Sequence, residues 1–166
     1  MKQIKEVFAD QAEVLAHLIR QANRPVATRF KINQDNCPKH PSFCKSEWIQ
    51  ADFDRGERYF LLTENSQPIA CVAYEVPVRE NAIKKAYLNR LSVLPDQQNK
   101  GTGSKLVEHV IQQALSDQLD LISIGIIAQH TQLQDWYEKI GFITGDTKGF
   151  EHLPFDVTYM TYKLND

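Results

Sequence analysis

Leu91-Ser92-Val93-Leu94-Pro95-Asp96-Gln97-Gln98-Asn99-Lys100-Gly101-Thr102-Gly103-Ser104-Lys105-Leu106-Val107 is the stretch on which the fold turns. It reads as the end of a strand, a turn opened by Pro95 and carrying two glycines, and an amphipathic helix starting near Thr102. Leu106, Val107, Val110, Ile111 and Leu115 supply that helix's apolar stripe. Successive backbone N–H groups at such a helix start can converge on phosphate oxygens, and glycine removes the side-chain obstacle to that approach. Two glycines before a helix also serve as a plain turn or a packing accommodation. Lys100 and Lys105 add positive charge. Gly101-Thr102-Gly103-Ser104-Lys105 lacks the interval of a P-loop, and Leu106 stands where a dinucleotide fingerprint needs its third glycine.

Working outward, Leu121-Ile122-Ser123-Ile124-Gly125-Ile126-Ile127 reads as an interior strand. A helix from Gln132 to Ile140 follows, with Thr131 near its cap, and Val157 to Lys163 alternates as a last strand. Upstream, Ala86 to Val93 is a strand, and Arg58–Thr63 with Ile69–Tyr74 flank Asn65-Ser66-Gln67-Pro68 as an antiparallel hairpin. Gln3 to Phe8 is a first short strand. Asp10 and Glu13 suggest a capping box for a helix over Gln11 to Ala22, with Val14, Leu15, Leu18 and Ile19 on its apolar face and Pro25 marking its end. The stretch Asn33 to Ser46 reads as a loop, and a second helix, Glu47 to Phe53, is capped by Ser46 and closed near Gly56. Strands wrapped by helices point to an α/β (α+β) domain with a mixed, mainly antiparallel twisted sheet, and 166 residues suit one domain over 1–166.

With 19 Lys plus Arg against 21 Asp plus Glu, the formal charge is -2, which disfavours nucleic-acid binding as the main activity. Lys84-Lys85 and Lys100 are separated in sequence. No segment approaches the roughly 20 apolar residues of a membrane helix, and Met1 to Glu6 lacks a signal-peptide pattern, so no membrane association and a cytoplasmic location are expected. The 3 cysteines, Cys37, Cys44 and Cys71, argue against a disulfide scaffold. Cys37, His40 and Cys44 share one loop, but a zinc site needs a fourth ligand, so no metal is expected.

Gln98-x-x-Gly101-x-Gly103, preceded by Val93-x-Pro95 and followed by Trp136-Tyr137-Glu138-Lys139-Ile140-Gly141-Phe142, resembles the GCN5-related N-acetyltransferase (GNAT) superfamily. The first run matches its Q/R-x-x-G-x-G/A acyl-coenzyme A signature, and the second its later aromatic motif. The resemblance implies a V-shaped groove between the strand ending at Val93 and the strand around Ile124. It also implies acetyl-CoA as co-substrate, with the backbone from Leu91 through Ser92 and Val93 to Leu94 pairing with the pantetheine arm. The amides of Gln98, Asn99, Lys100, Gly101, Thr102, Gly103 and Ser104 would hold the pyrophosphate. A neutral primary amine would attack the thioester directly, with a backbone N–H near Val93 or Leu94 polarising the oxygen.

Within that resemblance Tyr137 is the candidate proton donor to the leaving sulfur, the alternative being a half-buried aromatic that packs the helix. The position of the family's base falls near Tyr87, where there is no carboxylate. Glu75 is a substitute if it faces the groove, with Tyr87 or Asn89 ordering a water; a water chain or a solvated Glu75 are the alternatives. His130 stands where the family often has asparagine and is a cofactor-binding candidate. Asp35, Glu47, Asp52 and Asp54 can attract a cationic amine or form only a surface charge set. A small-molecule amine acceptor is expected, with a peptide N-acetyltransferase and a catalytically silent acyl-CoA sensor as alternatives. A homodimer is compatible with the sequence.

Overall fold

A computed structural model of the chain describes residues 1–78 and 83–165. The elements run β1 (Lys2–Val7), α1 (Ala12–Arg29), α2 (Ser46–Asp54), β2 (Arg58–Glu64), β3 (Gln67–Glu75), β4 (Lys85–Val93), α3 (Thr102–Ser116), β5 (Leu121–Ile127), α4 (Thr131–Ile140), β6 (Ile143–Lys148) and β7 (Val157–Lys163). One sheet carries them in the order β1-β2-β3-β4-β5-β7-β6, antiparallel throughout except between β4 and β5. The mixed, mainly antiparallel sheet flanked by helices is the architecture expected from the sequence.

Period-2 alternation divides the strands' apolar residues between two faces. On one face Phe60, Leu62, Val72, Tyr74 and Leu88 pack with the α3 stripe. On the other, Tyr59, Leu61, Cys71 and Ala73 pack beneath Leu15, Leu18 and Ile19 of α1 and Ile49 of α2. Leu115 and Val14, expected in buried stripes, lie at the edges of their helices with 42% and 37% exposure, and Ala114 fills the core position of α3.

Several local expectations are corrected by packing. α1 continues past Pro25 to Arg29. An interior proline sacrifices one helical hydrogen bond and crowds the carbonyl one turn back, yet Ala27 is buried beyond it and Phe30 N–H bonds the Val26 carbonyl at 3.0 Å. Tertiary contacts outweigh that local cost. A short 3-10 turn, Ala9–Gln11, leads into α1, so Asp10 caps nothing. Lys45 and His130, rather than Ser46 and Thr131, occupy the cap positions of α2 and α4, neither with a side-chain bond.

The β2–β3 turn is only Asn65-Ser66, both left-handed (φ 52° and 68°), as a two-residue hairpin with primed geometry needs. Pro68 already belongs to β3, opposite a register shift at Leu62/Thr63 that relieves its missing N–H. β6 was not anticipated. Every residue of it is exposed and, among the described residues, it pairs only with β7, so no buried face imprints an alternation on Ile143–Lys148.

A buried carboxylate ties α2 to the sheet. Asp52 is 2% exposed and accepts from Tyr59 Oη at 2.5 Å, Arg55 Nη2 at 2.7 Å and Arg90 Nε at 3.0 Å. Removing one member of a buried charge set strands the others. Asp52→Ala should therefore lower stability by about 3 kcal/mol, read as a reduced urea midpoint with an unchanged denaturant slope.

Candidate active site

β4 and β5 are in register only at Lys85–Leu121, Ala86–Ile122 and Tyr87–Ser123. Beyond Tyr87 they part, and a cleft of about 680 Å³ opens between them. The separation coincides with a bulge in β4: Cys71 pairs with Ser92, but Ala73 pairs with Asn89, so Arg90 and Leu91 together face one step of β3. Arg90 takes φ 53° there, a left-handed conformation a non-glycine residue rarely adopts.

The bulge sets which backbone groups face the cleft. Leu94 N–H is bonded to the Ile69 carbonyl at 3.0 Å, so it is not free to polarise anything in the cleft. Adjacent residues of an antiparallel pair alternate in direction, so Val93 turns its N–H away from β3 and toward the parted strands. Of the two amides considered from sequence, only Val93's is available. Leu94 does not line the cleft and packs instead with the core beneath α1 and α2.

At the cleft's end, α3 begins on Gly101, which is left-handed at φ 77° and supplies no side-chain cap. The first-turn N–H groups of Thr102, Gly103 and Ser104 have no carbonyl one turn back, and all three residues line the cleft with Gly101, Asn99 and Gln98. Such a helix start suits an anion. The two glycines have separate reasons. A Cβ on Gly101 would meet nothing within 4 Å, so its conformation is what demands glycine; a Cβ on Gly103 would meet the Trp136 ring at 3.2 and 3.3 Å. The side chain of Gln98 is used locally, donating to the Val93 carbonyl at 3.2 Å. Lys100 is exposed and outside the cleft lining, while Thr102 buries its hydroxyl beneath Lys2 Nζ at 3.3 Å.

Tyr137 lines the opposite arm, its ring edge-on to Trp136 at 4.9 Å and to Phe142 at 5.1 Å. Burial pushes its phenol above the ordinary value, so the hydroxyl keeps its proton. Among the described residues it makes no hydrogen bond. His130 also lines the cleft, and its buried Nδ1 has no hydrogen-bond partner among the described residues. Burial, and then the charge of Arg29, hold the imidazole below its usual range, so the ring is neutral at pH 7. Leu91 and Ser92 complete the expected set; the Ser92 hydroxyl is taken by Asn23 Nδ2 at 3.1 Å and the Arg90 carbonyl at 3.0 Å.

The expected acidic residues are placed differently. Glu75 does not line the cleft; it accepts from Asn89 Nδ2 at 3.4 Å and stands 3.9 Å from Arg55 Nε. Asp35, Glu47 and Asp54 are exposed away from the cleft, and Asp52 is enclosed by its partners. The buried Glu57 was missed, although a charged pair, Glu57-Arg58, at the head of an apolar strand was a visible signal. Cys37, His40 and Cys44 do not converge as ligands. Cys37 and Cys44 belong to different clusters, and His40 Nδ1 accepts the Ser42 N–H at 3.1 Å. Burial lowers His40 to about 4, so the imidazole is neutral and carries its proton on Nε2.

The two arms are joined across the α1 side. Arg29 Nη1 donates to Gln132 Oε1 at 3.1 Å, and the Phe30 and His130 rings lie 5.4 Å apart. An apolar cluster of Ala27, Ile32 and Cys37, with Ile127, Leu153 and Phe155 against it, extends the bridge from the loop after α1 to the end of β5 and the segment before β7. The cleft is therefore enclosed on the side from which the α1 wall faces it.

The family model described as "Acetyltransferase (GNAT) family" matches residues 15–142. No curated protein matches the chain in sequence. Among solved structures, the ribosomal-protein-S18-alanine N-acetyltransferase of Escherichia coli is similar at TM-score 0.77 and 18% identity, over 100% of this chain and 96% of that one. An acetyltransferase of the GNAT family from Staphylococcus aureus Mu50 aligns at TM-score 0.72 and 21% identity, over 99% and 100%. A Salmonella typhimurium structure with acetyl-CoA, given as an acetyltransferase, aligns at 0.72 and 15%, over 99% and 95%. These identities speak to the fold.

Gly103→Val should displace the Trp136 indole from the start of α3. Tryptophan emission, read in a Trp48→Phe background, should shift to the red, and stability should fall by about 1–3 kcal/mol as for overpacking elsewhere.

Proposed function

The chain belongs to the acetyltransferase (GNAT) family, and on that premise we propose that it transfers the acetyl group of acetyl-CoA to a small primary amine within the cleft between β4 and β5. The bridge formed by Arg29–Gln132 and Phe30–His130 carries the choice of a small acceptor, because it narrows the approach past α1. The E. coli neighbour is named for a protein acceptor, a ribosomal-protein alanine. A peptide would have to lie across that bridge.

The cleft suits acetyl-CoA on two counts: uncapped first-turn amides at α3 offer donors for a pyrophosphate, and His130 Nδ1, which has no partner among the described residues, offers a polar contact for the pantetheine arm. When bound, acetyl-CoA supplies a thioester carbonyl open to attack. Leu91, Ser92 and Val93 form the strand edge beside it, and Val93 N–H polarises the carbonyl oxygen as charge develops there. Enclosure by the α1 wall holds the amine close to that carbonyl and limits water. A C–N bond forms as the C–S bond breaks; the nitrogen loses a proton to water, and the Tyr137 hydroxyl gives one to the sulfur. Tyr137 suits that task because burial keeps its phenol protonated. Glu75 approaches the cleft only through Asn89, so a water route carries the amine's proton.

Free thiol released from acetyl-CoA across a panel of small primary amines, run beside a peptide with N-terminal alanine, tests this assignment. Faster release with a small amine is expected; coenzyme binding without release would indicate a silent sensor, and preference for the peptide would reverse the acceptor. Tyr137→Phe should cut turnover by about a hundredfold or more while acetyl-CoA affinity stays within about twofold.

A further inference from the structure

Asn89 lies just beyond the last registered pair of the parted strands, Tyr87 with Ser123, and lines the cleft. It faces Ala73 across the sheet, a residue of the core beneath α1 and α2, so its side chain projects on that side. Tyr137 belongs to the core of the opposite face. An acceptor held at Asn89 and a proton held at Tyr137 thus meet the cleft from different sides.

The orientation of the Asn89 amide is settled by its neighbours. Its Nδ2 donates to Glu57 Oε1 at 3.0 Å and to Glu75 Oε1 at 3.4 Å. Burial raises the Glu57 carboxyl above its ordinary value, but the hydrogen bond from Arg55 Nη2 favours the carboxylate, so the flipped amide would press its carbonyl oxygen against acceptors. Glu57 is itself only 3% exposed, and its other oxygen accepts from Arg55 Nη2 at 3.1 Å. Oδ1 of Asn89 accepts no hydrogen bond among the described residues. Around it, Asp52, Glu57 and Glu75 outnumber Arg55 and Arg90 in formal charge. That balance favours a hydrogen-bond donor of cationic origin over an anion.

We propose that Asn89 is the acceptor-binding side chain of this cleft, its Oδ1 taking an N–H of a primary amine, and that Glu57 is a positioning residue that holds the amide in that orientation. The proposal rests on the amine-acylation reading above. One N–H held at Oδ1 leaves the nitrogen lone pair free to turn toward the thioester carbonyl. Glu57 touches neither reactant; it acts by denying the amide its other orientation, and Glu75 assists from the end of β3.

Calorimetric titration of n-butylamine into the CoA-loaded protein reads this directly. Affinity should fall by about tenfold in Asn89→Ala, the effect of one lost hydrogen bond, and by less in Glu57→Gln, with CoA affinity within about twofold in both. With an amine that turns over, Glu57→Gln should raise KM for the amine at nearly constant kcat. Unchanged amine affinity in Asn89→Ala, or no binding to the unsubstituted protein, would overturn the proposal. If a substitution prevents folding, the side-chain amide signal of Asn89 in a nitrogen-15 spectrum of the unsubstituted chain decides: it should move when n-butylamine is added, and a stationary signal refutes the contact. Thiol release is read separately. Amine bound through Asn89 without thiol release would end the enzyme reading alone, whereas thiol release with an unchanged amine KM in Asn89→Ala would end this one alone.

Discussion

The parting of β4 from β5 is the constraint on which the remaining structure depends. A sheet interior normally pairs its backbone donors and acceptors, and leaving them unpaired is costly unless something else satisfies them. Here the pairing stops at Tyr87–Ser123, and the freed edge becomes one wall of a cleft. The bulge at Arg90 and Leu91 turns β4 at that point and determines which amides look inward. Because Leu94 is secured to Ile69, the strand's last residues remain attached to β3 while their other edge stays open.

A second requirement follows from the first. A strand that loses one neighbour needs support elsewhere, and the bulge obtains it from α2. Arg90 bonds Asp52, which also receives Tyr59 and Arg55, while Asn89 is held by Glu57 and Glu75. These charged groups lie on the α1 and α2 face; Tyr137, Trp136 and Phe142 form an aromatic group on the other arm. One side of the cleft is thus built from ion pairs and an oriented amide, and the other from rings packed edge-on around the Tyr137 ring.

Sequence patterns were legible wherever a single local rule decided the outcome. The interior strand Leu121–Ile127 and the final strand Val157–Lys163 were read with their observed limits, because a short run of apolar and β-branched residues marks each, and the two pair with each other along their whole length. Gly101 was singled out because glycine lets the backbone approach a phosphate, whereas its left-handed conformation is what demands glycine there. Gly103 was singled out on the same ground, and its own reason was equally out of reach, since Trp136 is 33 positions away in the chain. Pro25 misled because its local cost was visible and the packing of Ala27 beyond it was not. β6 was invisible because neither of its faces is buried.

By itself the sequence determined the alternation of strands and helices, the glycine turn between β4 and α3, and the aromatic run at Trp136-Tyr137. Each follows from backbone sterics or apolar periodicity acting over a few residues. Tertiary structure alone decided which carboxylates matter. Asp35, Glu47, Asp52, Asp54, Glu57 and Glu75 are alike in composition, yet burial and partners make Asp52 an anchor for Arg90 and Glu57 a brace for Asn89, while Asp35, Glu47 and Asp54 remain exposed. A charged side chain's role depends on how much water it loses and what faces it, and both are properties of segments brought together only by the fold.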